Sequence, residues 1–256
     1  MGPPGIMWAS SRITHPERLS VDKYSDWYEN KHIKDVLVLP GAVAAVKYQA
    51  VERPVKDGGE ERTYSGDMPW LVVYELPDMV GFRESDGFKN MSQRNPPTQA
   101  EIDTIYMNTQ FAIRFYEEVQ RFEGEKAKEN GPAKFIISGA LEPPSDIAST
   151  TDFDKWYREE HIPLLSRMPG FIRSRRYEVK TAYTIKQLQP SDDMQIVPKY
   201  YALHEFGGEA LPWKQIEESV GTEWAKKVMG SVQKAEVGWY KVKRVYPESE
   251  WGSVGN

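Results

Sequence analysis

The chain carries one pattern twice. Tyr24-Ser25-Asp26-Trp27-Tyr28-Glu29-Asn30-Lys31-His32-Ile33 leads on to Leu39-Pro40-Gly41 and Tyr48. Phe153-Asp154-Lys155-Trp156-Tyr157-Arg158-Glu159-Glu160-His161-Ile162 leads on to Met168-Pro169-Gly170 and Tyr177. One offset, 129, aligns both stretches without a gap, and Trp27, Tyr28, His32, Ile33, Pro40, Gly41 and Tyr48 all recur. A repeat constrains a fold more than any local signal, because the structure has to use one unit twice. In a chain of 256 residues each unit has roughly 125 residues, enough for a core of its own.

The pattern of elements is the same in each unit: strand, helix, strand, strand, helix, strand. Gly5 to Ile13 and Ala133 to Leu141 are the first strands. Ser20 and Ser149 are placed to cap the first helices, since a serine hydroxyl accepts from a free N–H of the opening turn. Pro40-Gly41 and Pro169-Gly170 end the helical regions and turn the chain. The second strands are Ala42 to Val51 and Phe171 to Val179. Polar loops follow, Glu52 to Met68 and Lys180 to Pro198, long for β-hairpin connections. The third strands are Trp70 to Leu76 and Tyr200 to Phe206. In the second copy Trp213, Ile216, Val220, Trp224 and Val228 recur at helical spacing. In the first, Gly87 interrupts Phe82, Phe88 and Met91, which predicts a poorer helix and an opened pocket. Phe111 to Phe122 and Gly238 to Tyr246 close the units.

This order, βαββαβ, is the ferredoxin-like arrangement. It places the chain in the α+β class, with two ferredoxin-like repeats whose antiparallel sheets pack together as an intramolecular, pseudo-dimeric barrel. Runs such as Leu71-Val72-Val73 and Phe135-Ile136-Ile137 are apolar on successive residues, as expected of strands covered on both faces. The predicted division is a first repeat over 1–122, a charged linker over 123–132, a second repeat over 133–250 and a tail over 251–256.

Composition excludes several function classes. With 33 basic and 38 acidic residues the formal charge is −5, and no basic block supplies the field that nucleic acid requires. No apolar run approaches the roughly 20 residues of a membrane span. The chain has no cysteine, which rules out disulfides, thiol nucleophiles and zinc–thiolate sites and fits a reducing, cytoplasmic setting. Nothing after Met1 reads as a signal peptide. Aromatic residues reach 12%, as suits a large core or a pocket for a flat, hydrophobic ligand. The four histidines, His15, His32, His161 and His204, are too scattered for a metal-ligand spacing on one helix.

The aromatic pair, three residues, histidine, then Pro-Gly opening a strand and a ring-Glu pair on the third strand (Tyr74-Glu75, His204-Glu205), resembles the dimeric α+β barrel superfamily. Within it the chain is most similar to EthD-like proteins in the tandem-fused form found in fungi. Trp156-Tyr157, His161-Ile162-Pro163-Leu164 and Met168-Pro169-Gly170 match best; in the first copy Lys34 replaces the proline. The resemblance implies a barrel closed by two sheets and a pocket between each sheet and its helices. It also implies chemistry ranging from cofactor-free cyclases, decarboxylases and isomerases of polyketides to haem- and oxygen-dependent enzymes.

On a helical wheel, Phe153, Tyr157, Glu160, His161, Leu164 and Met168 share the face that meets the sheet, so His161 points inward. The matching face of the first copy holds Tyr24, Tyr28, Lys31, His32, Asp35 and Leu39. Tyr28 and His32 are four apart, His32 and Asp35 three, so all three can lie together. A carboxylate where the twin has Leu164 is costly to bury alone, and beside a histidine it holds the ring and raises its basicity. His32, Asp35 and Tyr28 are therefore the candidate catalytic group, with the first copy as the active half. An inward histidine at a repeated position also has a purely structural reading, bonding a backbone carbonyl. Trp8 and Arg12, which share a strand face, join Tyr74, Phe82, Phe88, Tyr157, His161 and His204 as candidate substrate contacts. Glu75 and Glu205 either face the barrel interior or sit at its rim, the rim being the plainer reading.

The expected function is a cofactor-free enzyme of secondary metabolism. It would use histidine-assisted proton transfer on a small aromatic or polyketide-like molecule, in a cyclisation, dehydration, decarboxylation or isomerisation. The alternatives are a haem- or oxygen-dependent monooxygenase and a non-catalytic binding protein. No metal, nucleic acid or membrane is expected as a partner, and a monomer or weak homodimer is.

Overall fold

The computed structural model describes residues 2–54, 63–129 and 132–247. The predicted tail and the end of the predicted linker lie outside the described residues. In the first repeat, β1 (Gly5–Ile13) leads to α1 (Val21–Trp27), a π-helical turn (Tyr28–His32), α2 (Ile33–Leu37), β2 (Ala44–Ala50), α3 (Tyr64–Asp67) and β3 (Trp70–Leu76). Four short helices, α4 (Met79–Glu84), α5 (Asp86–Lys89), α6 (Met91–Arg94) and α7 (Gln99–Thr104), then precede β4 (Thr109–Glu123). The second repeat runs β5 (Phe135–Glu142), α8 (Ile147–Trp156), a π-helical turn (Tyr157–His161), α9 (Ile162–Ser166), β6 (Phe171–Lys186), β7 (Gln189–Asp192) and β8 (Tyr200–Phe206). It ends with α10 (Trp213–Val220), α11 (Glu223–Ser231) and β9 (Lys234–Tyr246).

The strands form one sheet in the order β4-β1-β3-β2-β9-β5-β8-β6-β7, and β4 also pairs with β6. That last pairing closes eight strands into a barrel, with β7 a hairpin extension. Each repeat contributes four strands in the same internal order, and β2–β9 and β4–β6 are the two seams. A closed barrel leaves no open sheet edge for another chain to join.

Strand alternation explains the two-sided apolar runs. Leu71 and Val73 of β3 point into the barrel with Trp8, Tyr48, Tyr116, Tyr177 and Tyr201. Trp70, Val72, Tyr74 and Leu76 point outward under the helices of the first repeat. Glu75 and Glu205 follow the same alternation and lie inside the barrel, at 7% and 0% exposure, not at its rim. Arg175 reaches both: Nη1 pairs with Glu75, and Nη2 lies 2.9 Å from Glu205. Two carboxylates are tolerable there because a guanidinium answers them.

Ser20 caps α1 as expected, accepting from the Lys23 N–H. Ser149 does not cap α8. Asp146 does, and the Ser149 N–H donates to its Oδ1 at 2.9 Å, because a carboxylate three residues earlier is the stronger acceptor at a positive helix end. Gly41 and Gly170 turn the chain with φ of +101° and +77°, a region open to glycine at no steric cost.

Both long loops cross to the other repeat. The segment expected as a loop over 180–198 continues β6 to Lys186, turns at Gln187-Leu188 with positive φ at both, and returns as β7. Tyr183 and Ile185 of this hairpin pack on the helix-side core of the first repeat. In the other direction α3, within the loop 52–68, lies on β9, where Ser65 Oγ accepts from the Trp239 N–H at 3.1 Å. The contact requires Gly238: a Cβ there would sit 2.8 Å from that of Ser65.

Candidate functional site

The repeated Trp-Tyr-x-x-x-His motif forms a π-turn in both copies. In an α-helix, residues five apart point in different directions. The wider π-turn brings them into line, so the tryptophan and histidine rings stack. Trp27 and His32 have centroids 4.9 Å apart at 17°, and Trp156 and His161 4.4 Å apart at 24°. The intervening tyrosine meets each imidazole edge-on, at 5.1 Å for Tyr28 and 5.4 Å for Tyr157. Single π-turns are rare and concentrate at functional sites.

In the first repeat this motif is packed over. Tyr106 and Phe111 press on Trp27, and Phe88 packs against Phe82 and Phe115. The interrupted second helix thus fills space rather than opening it. Glu101 accepts from the Trp27 indole N–H at 3.0 Å and from Lys31 Nζ at 2.5 Å. Those bonds, with Thr98, hold its carboxyl down at about 2. Burial, then the Lys31 ammonium, lowers His32 to about 4. Asp35 makes no hydrogen bond or ion pair to His32 among the described residues, so the predicted His32–Asp35–Tyr28 group does not assemble as a bonded unit. Tyr74 and Tyr28 are buried in the aromatic core. Trp8 lies inside the barrel with the Arg114 guanidinium 4.7 Å from its ring. Arg12 donates to Gln110 at 2.8 and 3.0 Å.

The large cleft, about 1030 Å³, lies on the second repeat, between its sheet and helices, and His161, His204, Trp156, Tyr157 and Trp239 line it. Of the predicted substrate contacts, only Tyr157, His161 and His204 reach it. The first repeat adds Arg53, Tyr64 and Asp67 at one edge, carried there by the crossing loop.

Side-chain volume explains why this side is open. Trp8 pairs with Val73 and Ser138 with Leu203, so these strands correspond at an offset of 130, one more than the helices. At that register Gly139 stands where the first repeat has Ala9, and Ala235, opposite Leu141, stands where Phe111 is opposite Ser11. A Cβ on Gly139 would meet nothing within 4 Å.

His161 and His204 stand at right angles, ring centroids 5.5 Å apart. Burial, then Arg176, lowers His161 to about 4; burial, then His161 and Arg176, holds His204 well below the ordinary value. Both are therefore neutral near pH 7. Arg176 sits 4.3 Å over the Tyr157 ring and donates to Asp154 and Gln120. His204 Nδ1 is bonded to Ser174 Oγ at 2.7 Å. His161 Nδ1 and Trp156 Nε1 are buried without a partner among the described residues. The indole of Trp27, by contrast, is satisfied by Glu101. His161 and Trp156 both line the cleft, although these two atoms themselves are buried. Ser174, Arg176, Trp156 and Gly139 were not legible as site residues; Ser174 stands for Ala45 at the offset of 129 that the helices share, and Gly139 for Ala9 at 130.

No family model matches the chain. Core atranone cluster (CAC) protein 1 of Stachybotrys chlorohalonatus is 21% identical over 219 residues, covering 84% of this chain and 86% of that protein. The crystal structure of an anthrone oxidase-like protein superposes with a TM-score of 0.57 at 10% identity, covering 94% of this chain and 92% of that one. A chlorite dismutase variant from Candidatus Nitrospira defluvii covers 94% and 90% at 8% identity, with a TM-score of 0.47. The chain has the dimeric α+β barrel fold. Here one chain supplies both halves, and the two halves have diverged into a filled side and an open side. Among the described residues no cluster of three or more histidine or acidic side chains is placed to hold a metal ion, and no helix is long and apolar enough to cross a membrane.

Proposed function

We propose that this protein is an EthD-like enzyme of secondary metabolism, cofactor-free, whose chemistry lies in the second-repeat cleft. One observation carries the reading: two neutral imidazoles, His161 and His204, stand side by side on the wall of a large cleft in the second repeat. A neutral imidazole away from bulk water can accept a proton or polarise a carbonyl at neutral pH. Cyclisation, dehydration, decarboxylation and isomerisation of polyketide-like molecules all turn on a proton moved next to a carbonyl. Trp156, Tyr157 and Trp239 suit a flat aromatic ligand. The 21% identity to a protein named for a core atranone cluster supports secondary metabolism. The reading moves the chemistry from His32, Asp35 and Tyr28 to the other copy. It also leaves no subunit to recruit, in line with a monomer.

The test needs no knowledge of the natural substrate. β-Tetralone and related aromatic ketones exchange their α-protons in heavy water, and NMR reads the rate. Wild-type protein is expected to accelerate the exchange, His161→Ala and His204→Gln to abolish it, and His32→Ala to leave it intact. Loss of exchange in His32→Ala alone would return the chemistry to the first repeat. Tight ligand binding without exchange would favour a carrier.

A second reading rests on the same two imidazoles. The cleft volume suits a planar macrocycle, and Nε2 of His161 or His204 has the chemistry of an axial iron ligand. Bound haem would supply one-electron and oxygen chemistry. A Soret band on titration with haemin, lost in His161→Ala or His204→Ala, supports this reading; no band at stoichiometric haemin sinks it.

A further inference from the structure

Ser174 and His204 are direct cross-strand partners on β6 and β8, on the outer face beneath the cleft. The same two positions in the first repeat, on β2 and β3, hold Ala45 and Tyr74, also direct partners. Between the copies, then, both members of the pair change. A serine with a histidine stands in the open half, and an alanine with a tyrosine in the filled half.

The Ser174 hydroxyl is fully buried, and its one side-chain hydrogen bond among the described residues is the 2.7 Å contact with His204 Nδ1. Two arrangements satisfy that distance. If Nδ1–H donated to Oγ, the serine proton would be left buried without an acceptor. If Oγ–H donates to Nδ1, the buried serine proton is used and the imidazole carries its own hydrogen on Nε2, which is not among the buried unpaired atoms. An orphaned buried donor costs more than a typical hydrogen bond gains, so the second arrangement prevails.

We infer that Ser174 is a positioning residue that locks His204 in the Nε2–H form, which makes His204 a fixed hydrogen-bond donor to a carbonyl or enolate oxygen in the cleft. His161 is the complement. Its Nδ1 has no partner among the described residues, so no hydrogen bond at that nitrogen pins its tautomer, and it is left to take or give the proton. A fixed donor beside an unpinned imidazole divides the work as enolisation requires: one ring holds the oxygen on which charge develops, the other moves the proton. This assignment of roles rests on the cleft reading above; the tautomer itself does not.

The experiment is long-range proton–nitrogen correlation NMR on nitrogen-15-labelled protein at neutral pH, with His204 identified by its loss in His204→Gln. The wild type is expected to show His204 neutral and protonated at Nε2. Ser174→Ala, which installs the residue the first repeat already has at this place, is expected to move the unprotonated Nδ1 resonance downfield, as loss of a donor to its lone pair does, and Ser174→Thr to restore it. The same samples are titrated with β-naphthol, a stable aromatic enol, by its fluorescence. Ser174→Ala is expected to weaken binding roughly three- to tenfold, as loss of one neutral hydrogen bond does, while His32→Ala leaves it unchanged. A wild-type His204 protonated at Nδ1, or an Nδ1 resonance unmoved in Ser174→Ala, overturns the inference. The expected tautomers in a protein that exchanges no ketone protons would leave Ser174 as assigned and count only against the enzyme reading.

Discussion

The imidazole of His161 lies on the indole of Trp156, centroids 4.4 Å apart, although the two are five residues apart in the chain. A regular α-helix would separate them around its axis; the π-turn stacks them. The stack and the sheet beneath bury His161 and leave it neutral.

Neutrality has a consequence for stability. His161 is held at about 4 in the folded protein against an ordinary 6.5, burial being the main cause and Arg176 the second. Between those values the unfolded chain binds the proton and the folded chain does not, so stability falls as pH falls from about 6.5 towards 4 and is unaffected by this group above 6.5. The loss from this one residue approaches about 3 kcal/mol at the bottom of the window. Urea melts of His161→Phe across the window are expected to show a slope shallower by about 1.4 kcal/mol per pH unit. An unchanged slope would mean that His161 titrates normally in the folded state.

Gly139 leaves the cleft open. Gly139→Val adds a β-branched side chain to a mid-sheet strand where a Cβ meets nothing, so stability is expected to hold or to rise by up to about 1 kcal/mol. Binding of β-naphthol is expected to be lost. A thermal melt and a fluorescence titration read both, and retained binding would place the ligand elsewhere.

Gly238 seats the crossing α3. Gly238→Val pushes a side chain into Ser65, displacing the wall that the first repeat lends to the second. Ligand affinity is expected to drop with a destabilisation of about 1–3 kcal/mol, the usual cost of overpacking. Full affinity in a stable variant would show that α3 takes no part in the site.

Arg175 is in ion-pair contact with both buried glutamates. Arg175→Leu takes this partner from both carboxylates, although Glu205 keeps Arg173 Nε at 3.3 Å, and is expected to cost about 3–5 kcal/mol. Adding Glu75→Gln and Glu205→Gln should recover much of that loss, since the cost lies in uncompensated charge. Denaturation that does not recover in the triple variant would point to packing instead.

The repeat, the βαββαβ order, the covered strands and the inward histidines were all legible in the chain, because each follows from local periodicity and from comparing two segments of one sequence. The motif Trp-Tyr-x-x-x-His even contains the π-turn, but a wheel of 3.6 residues per turn cannot show it. What stayed hidden was which copy opens. That depends on Gly139 standing for Ala9 and Ala235 for Phe111 across strands distant in the chain, at offsets of 130 and 124 where the helices keep 129. It depends also on two loops that cross from one repeat to the other, filling one outer face with Tyr183 and Ile185 and edging the other with Tyr64 and Asp67. The sequence by itself determined the repeated unit and the side chains that face its core. Only the tertiary structure decided where the space lay, because free volume is the sum of side chains brought together from several strands and helices and is a property of no segment alone.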